Sequence, residues 1–345
     1  MYKTGEGATG DAGPMNSAKT AHPVKGEDNP YLLLTVTMVL WGSAFSSSKV
    51  VVEQLPHGVA AFLRFGGGAL ALLVAVRLFG RRGARVAPRD RGRAALAGLL
   101  GVFAYNLSFF WGLSLAPSMD AGVIVPVMSP VLTTAFLLLT RRESASPARI
   151  AGLGLGVVGA VVFFVGAGTG GGGATRLTGD LLFLLSAVCW ASYTLAGPRV
   201  LAGIEPLRAT TYATCAGAVA LGLFSAPELG DVSWGELPAG TWLNVVFLAV
   251  GPTALANLLY YRGVGAVGPA SASVMMFLVP VLGSSAAVVF LGESFGAVQA
   301  AGAVVLLAGA VLAVTQGRLP GRRGPAGGGG AAHASRRVRA VTDDA

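Results

Sequence analysis

Arg64 stands well inside an apolar run, residues 59–78, whose other arginine, Arg77, is at its end. A guanidinium at such depth in hydrocarbon is expensive and is a functional candidate by default, because it attracts a carboxylate or a phosphate. Two asparagines, Asn106 and Asn257, stand in two further apolar runs at an offset of 151 residues. An amide there both donates and accepts, so it can hold a polar group of a ligand or join two helices. Trp41 and Trp190, at an offset of 149, offer flat rings suited to apolar or cationic groups. Pro126, Pro130 and Pro280 each remove an amide donor and displace the carbonyl four residues earlier, which frees acceptors for an ammonium group. This is the chemistry of binding and release. Enzymatic chemistry lacks its parts: His22, His57 and His333 fall in tails or a loop, and Cys189 and Cys215 read as small packing residues. No catalytic residue, metal site or cofactor is expected.

Composition dictates the elements that must carry these side chains. Charged residues are 12% of the 345-residue chain, against about 25% in soluble globular proteins. Hydrophobic residues reach 53% and mean hydropathy is +0.67. So few charges cannot cover a soluble core of this size. A bilayer core of about 30 Å needs roughly 20 apolar residues at helical rise. Ten segments fit, at residues 31–51, 59–78, 94–115, 119–139, 148–166, 180–196, 206–225, 241–261, 270–291 and 297–316. The chain also repeats itself. Asn106, Gly112, Pro130, Glu143, Gly152 and Gly159 recur as Asn257, Gly263, Pro280, Glu293, Gly302 and Gly309, at an offset of 151 for the first two and 150 for the rest. The predicted fold is an all-α integral membrane protein of ten transmembrane helices.

The positive-inside rule orients it. With the N-terminus in the cytoplasm, 22 of the 25 basic residues fall in tails, inner loops or adjoining span ends. Of the other three, Arg176 sits in an outer loop, and Lys49 and Arg64 lie within spans. Each copy of the repeat has five spans, an odd number, so the second enters the membrane upside down and the halves form two inverted five-helix repeats. Residues 1–30 are expected to be a disordered cytoplasmic tail without a cleavable signal, 31–167 the first repeat and 168–178 a Gly-rich linker. Residues 179–316 are the second repeat and 317–345 a disordered basic cytoplasmic tail. The net charge of +9 is then an orientation signal that also meets anionic lipid, and no nucleic-acid partner is expected. The Ala, Gly and Arg bias fits a GC-rich bacterial genome.

Each candidate has a plainer reading beside the functional one. The prolines either free carbonyls or merely kink helices. The asparagines either face a ligand or bond between helices. Arg64 either binds an anion or forms a structural ion pair, for which Asp120, Asp180 and Glu53 lie near the same face. Lys49 reads as structural. Glycines 152, 154, 156 and 159, with 302 and 309, read as packing, within the bundle or between protomers of a homodimer. No carboxylate lies mid-span, so ion coupling is not visible.

Trp41-Gly42-Ser43-Ala44-Phe45, Pro56 with Arg64-Phe65, Pro130, Gly179-Asp180 with Trp190, and Leu291-Gly292-Glu293 followed by Gly302 and Gly309 together resemble the EamA-type family of the drug/metabolite transporter superfamily. The resemblance spans both repeats. It departs at Thr140-Arg141-Arg142-Glu143, where Leu-Gly-Glu is usual, and Arg64 has no second-half counterpart. The resemblance implies a ten-helix bundle with spans five and ten at the periphery, and export of amino acids or related metabolites across the bacterial plasma membrane. An importer of small solutes and a non-transport membrane protein, such as a membrane enzyme, are the alternatives.

Overall fold

The computed structural model describes residues 29–79, 87–141, 146–167, 173–200, 203–267, 272, 275–294 and 296–315. Most of both tails, Glu143 and residues 168–172 of the linker lie outside the described residues. Among the described residues, ten apolar helices follow one another: α1 (Pro30–Val52), α2 (His57–Phe79), α3 (Pro88–Leu115), α4 (Ser118–Leu139), α5 (Pro147–Ala167), α6 (Gly173–Val200), α7 (Pro206–Ser225), α8 (Ala239–Val267), α9 (Leu278–Leu291) and α10 (Ala297–Thr315). No strand occurs among the described residues. Nine of the ten are long and apolar enough to cross a membrane, and α9, with 14 residues, is shorter.

Local chemistry explains the helix starts. Proline leads α1, α3, α5 and α7, where its missing N–H forfeits no helical bond. Asn29 caps α1 by accepting from the Tyr31 amide at 3.0 Å. At the other end of the repeat, Gly292 ends α9 in the left-handed region, at φ +65°. After α4 the left-handed residue is Arg141, at φ +53°, one place before the counterpart of Gly292. A side chain there costs about 1 kcal/mol, so the sequence departure at this point carries a conformational price.

Two expectations need correction. The linker does not run to residue 178, because α6 already begins at Gly173; Arg176 sits in its first turn, held by partners on other helices. Nor do the prolines of α4 interrupt it. The helix continues through Pro126 and Pro130, which are four residues apart and so place both defects on one face. Pro280 lies in the first turn of α9, where proline is tolerated.

The interruptions lie elsewhere. Within α3, Leu99–Ala104 widens into a π-helix, and within α8 so does Ala249–Leu255. These segments start 150 residues apart, yet ordinary helix resumes at Tyr105 and Ala256, 151 apart. The second segment is one residue longer than the first, and so brings the asparagines that follow to their offset of 151. Such π segments are rare and concentrate at functional sites.

Packing follows the duplication. α1 lies against α8 and α9, while α6 lies against α3 and α4; α2 pairs with α7, and α5 with α10. Exchanging the first five helices for the last five maps this pattern onto itself. The pair α5 and α10 is joined by glycines. A Cβ on Gly159 would strike the Leu306 backbone, and one on Gly302 the Phe163 backbone. These glycines thus serve packing inside the bundle.

Candidate functional site

A duplicated set of contacts surrounds the π segments. On one side, the Thr37 hydroxyl of α1 donates to the Ala256 carbonyl of α8 at 3.4 Å. On the other, the Ser186 hydroxyl of α6 donates to the Tyr105 carbonyl of α3 at 3.2 Å. Both acceptors are the first residues of ordinary helix after a π segment. The next residues are the predicted asparagines. Asn106 donates to the Val102 carbonyl and Asn257 to the Thr253 carbonyl, each at 2.7 Å. The amides therefore close the widened turn of their own helix instead of bridging helices. Asn106 is buried, and its Oδ1 has no hydrogen-bond donor.

The tryptophans stand over the same places. Trp41 donates through Nε1 to the Pro252 carbonyl, inside the α8 π segment, at 3.2 Å, and its ring lies 5.1 Å from that of Tyr260. Trp190 lies 5.4 Å from Tyr105 and 5.6 Å from Tyr193. Both indoles are half-buried. Tyr105 also stacks on Phe109 at 6.1 Å, and Phe109 meets Phe45 at 5.7 Å. The result is aromatic surface between α1, α3, α6 and α8, with one unsatisfied amide oxygen beside it.

Arg64 points inward. Its Nη1 donates to the Ser48 hydroxyl of α1 at 3.1 Å, and the guanidinium lies over Phe65 at 5.0 Å and Phe110 of α3 at 6.0 Å. Its Nε has no hydrogen-bond partner. Two of the acids expected to neutralise it, Glu53 and Asp120, are pointed at other cations by the packing. Glu53 lies 3.9 Å from Lys49, which also caps the end of α3 by donating to the Leu113 and Ala116 carbonyls.

Asp120 belongs to a cluster that the sequence reading missed. Arg176 grips it with two hydrogen bonds, Nε to Oδ2 at 2.8 Å and Nη2 to Oδ1 at 2.9 Å. Gln299 accepts from Arg176 at 2.9 Å and donates to Asp120 at 2.5 Å. Asp120, Asp180 and Gln299 are all buried. Glu293, beyond α9, caps α4 by accepting from the amides of Ser118 and Met119 at 2.9 and 2.7 Å. The starts of α4, α6 and α10 and the end of α9 are thereby tied. The available signal is topological, since the span pattern puts Asp120, Arg176 and Asp180 on one face.

Two copies of a helical unit, packed in an exchange-symmetric way around aromatic and polar side chains, are the plan of a multi-pass membrane transporter. The model of the EamA-like transporter family matches residues 29–165 and 177–315, so the chain belongs to that family. It is similar to a protein of Bacillus subtilis (strain 168) described as the uncharacterized transporter YyaM, at 26% identity, covering 85% of this chain and 95% of the relative. It is 30% identical to a protein of Streptantibioticus cattleyicolor named "Probable terminal-alkyne amino-acid exporter", covering 81% of this chain and 91% of the relative. The aromatic amino acid exporter YddG of Ancylobacter novellus is 31% identical over 54% of this chain and 63% of the relative. A solved crystal structure shares the fold, with a TM-score of 0.58 at 24% identity, over 84% of this chain and 97% of that one.

Proposed function

We infer that this transporter exports amino acids or closely related small metabolites from the bacterial cytoplasm. It works in the plasma membrane by alternating access between two inverted halves, with both termini cytoplasmic. The observation that carries this reading is the duplicated seam. The same hydroxyl-to-carbonyl bond, asparagine and tryptophan recur where α1 meets α8 and where α6 meets α3. Equivalent seams of opposite orientation let one open while the other closes, so that the central site faces either side in turn. The exchange-symmetric packing and the distribution of arginines support the inverted arrangement. The names of two relatives support amino acids and the outward direction.

In this reading, Trp41 and Trp190 with their tyrosine neighbours receive the apolar part of the substrate, and the Asn106 and Asn257 amides contact its polar part. The prolines of α4 and α9 shape the adjoining wall. Mass spectrometry of the medium tests it. Cells making the intact protein should enrich an amino acid or a relative outside, and cells making the Asn106→Ala/Asn257→Ala variant at equal membrane abundance should not. Normal export by the double variant would remove the amides from the site. The absence of any exported metabolite would overturn the direction.

A further inference from the structure

We propose that Arg64 is the carboxylate-binding group of the transport site, and that the substrates are therefore carboxylate-bearing. This rests on the amino-acid reading above and narrows it. Arg64 lies seven residues inside the start of α2, about 10 Å along the helix. Its guanidinium meets Ser48 of α1 and Phe110 of α3, not the lipid-facing side, so it does not reach for the outer headgroups. Glu53 is taken by Lys49, Asp120 by Arg176, and Glu293 by the start of α4. Asp180 is buried in the Arg176 cluster, and Glu228 rests against Gly58 at the outer end of α2. Among the described residues no carboxylate pairs with Arg64, and a neutral serine is its hydrogen-bonding partner.

A guanidinium removed from water without an anion is costly, and the cost is recovered when a carboxylate arrives. Arginine suits that role because its planar fork bonds both carboxylate oxygens. Here Nε is unbonded and the side chain keeps some accessible surface. One guanidinium and one hydroxyl match a singly charged carboxylate; a phosphate ester would bring a second charge with nothing to meet it. Tyr105 lies beside Arg64 and packs on Trp190, so a bound carboxylate would place its own side chain against the aromatic surface. The second half offers Ala213 or Thr214 at the corresponding place, so the anion site is single although the seams are double.

Counterflow in proteoliposomes tests this with the full-length protein. Labelled L-phenylalanine and L-leucine are the substrates, and unlabelled free acids or their C-terminal amides are the competitors. The amides should compete about 10- to 100-fold less well, the range expected for losing a charge-assisted hydrogen bond. In Arg64→Gln, acid and amide should compete equally, and Arg64→Lys should restore part of the preference. If the intact protein accepts amide and acid equally, the carboxylate site is wrong, whatever the variants do. If neither labelled amino acid shows counterflow, the amino-acid reading falls and takes this proposal with it. A loss of acid preference in Arg64→Gln unaccompanied by any recovery in Arg64→Lys still supports the site, provided the intact protein discriminates.

Discussion

Asp120 and Arg176 meet through two charge-assisted hydrogen bonds with almost no exposed surface, their side chains 0% and 12% accessible. Breaking such a pair from one side strands a charge, at a cost of about 3–5 kcal/mol. Asp120→Asn and Arg176→Gln are each expected to lower the melting temperature of the purified protein markedly. Replacing both, as Asp120→Leu with Arg176→Met, should recover much of the loss because neither charge then remains. If the double variant is as unstable as the worse single, the cluster stabilises through Gln299 and Asp180 instead. Sequence placed these residues on one face but left Arg176 in a loop, since nothing local shows that a partner 56 residues away will draw the first turn of α6 into place. Arg64 illustrates the converse. Its depth was legible from hydropathy, whereas its lack of a carboxylate emerged only once packing had turned Glu53 to Lys49, Asp120 to Arg176 and Glu293 to the start of α4.

At the level of elements, α5 and α10 approach so closely that glycine replaces side chains with backbone contact. Gly159→Val would drive a branched side chain into the Leu306 backbone, whereas a Cβ on Gly154 meets nothing within 4 Å. The expected result is loss of folded protein from the membrane for Gly159→Val and normal abundance for Gly154→Val, measured by fluorescence-detected size-exclusion chromatography. Equal behaviour of the two would show that the helices can separate without cost. The repeat spacing predicted which glycines matter in pairs, Gly152 with Gly302 and Gly159 with Gly309, but not that the two sets face one another. The π segments left no trace in propensity or hydropathy. The one gap in the repeat falls later, between Gly112 and Pro130, so it did not mark them either.

For the whole molecule, the charge distribution predicts which surfaces meet which compartment. Cysteine introduced at exposed Arg89 should react with an impermeant maleimide only after the cells are opened, and cysteine at exposed Asp231 in intact cells, both in a background lacking Cys189 and Cys215. The reverse pattern would invert the orientation, and with it the assignment of the Arg176 cluster to the outer side. Arg89 lies exposed in the first turn of α3 and Asp231 is exposed between α7 and α8, so substitution there should leave the fold intact.

The membrane-embedded class, the order of the apolar segments and the duplication were determined by the sequence alone, because hydropathy, proline at helix starts and repeat spacing are local properties that survive in any arrangement of the chain. Tertiary structure decided the partners. Whether Asn106 bridges helices or closes its own turn, whether Asp120 neutralises Arg64 or Arg176, and whether the glycines serve the bundle depend on directions that only the packed helices define. Burial then turns each direction into energy, since a charge or amide deep among helices bonds only to what the packing brings within about 3 Å.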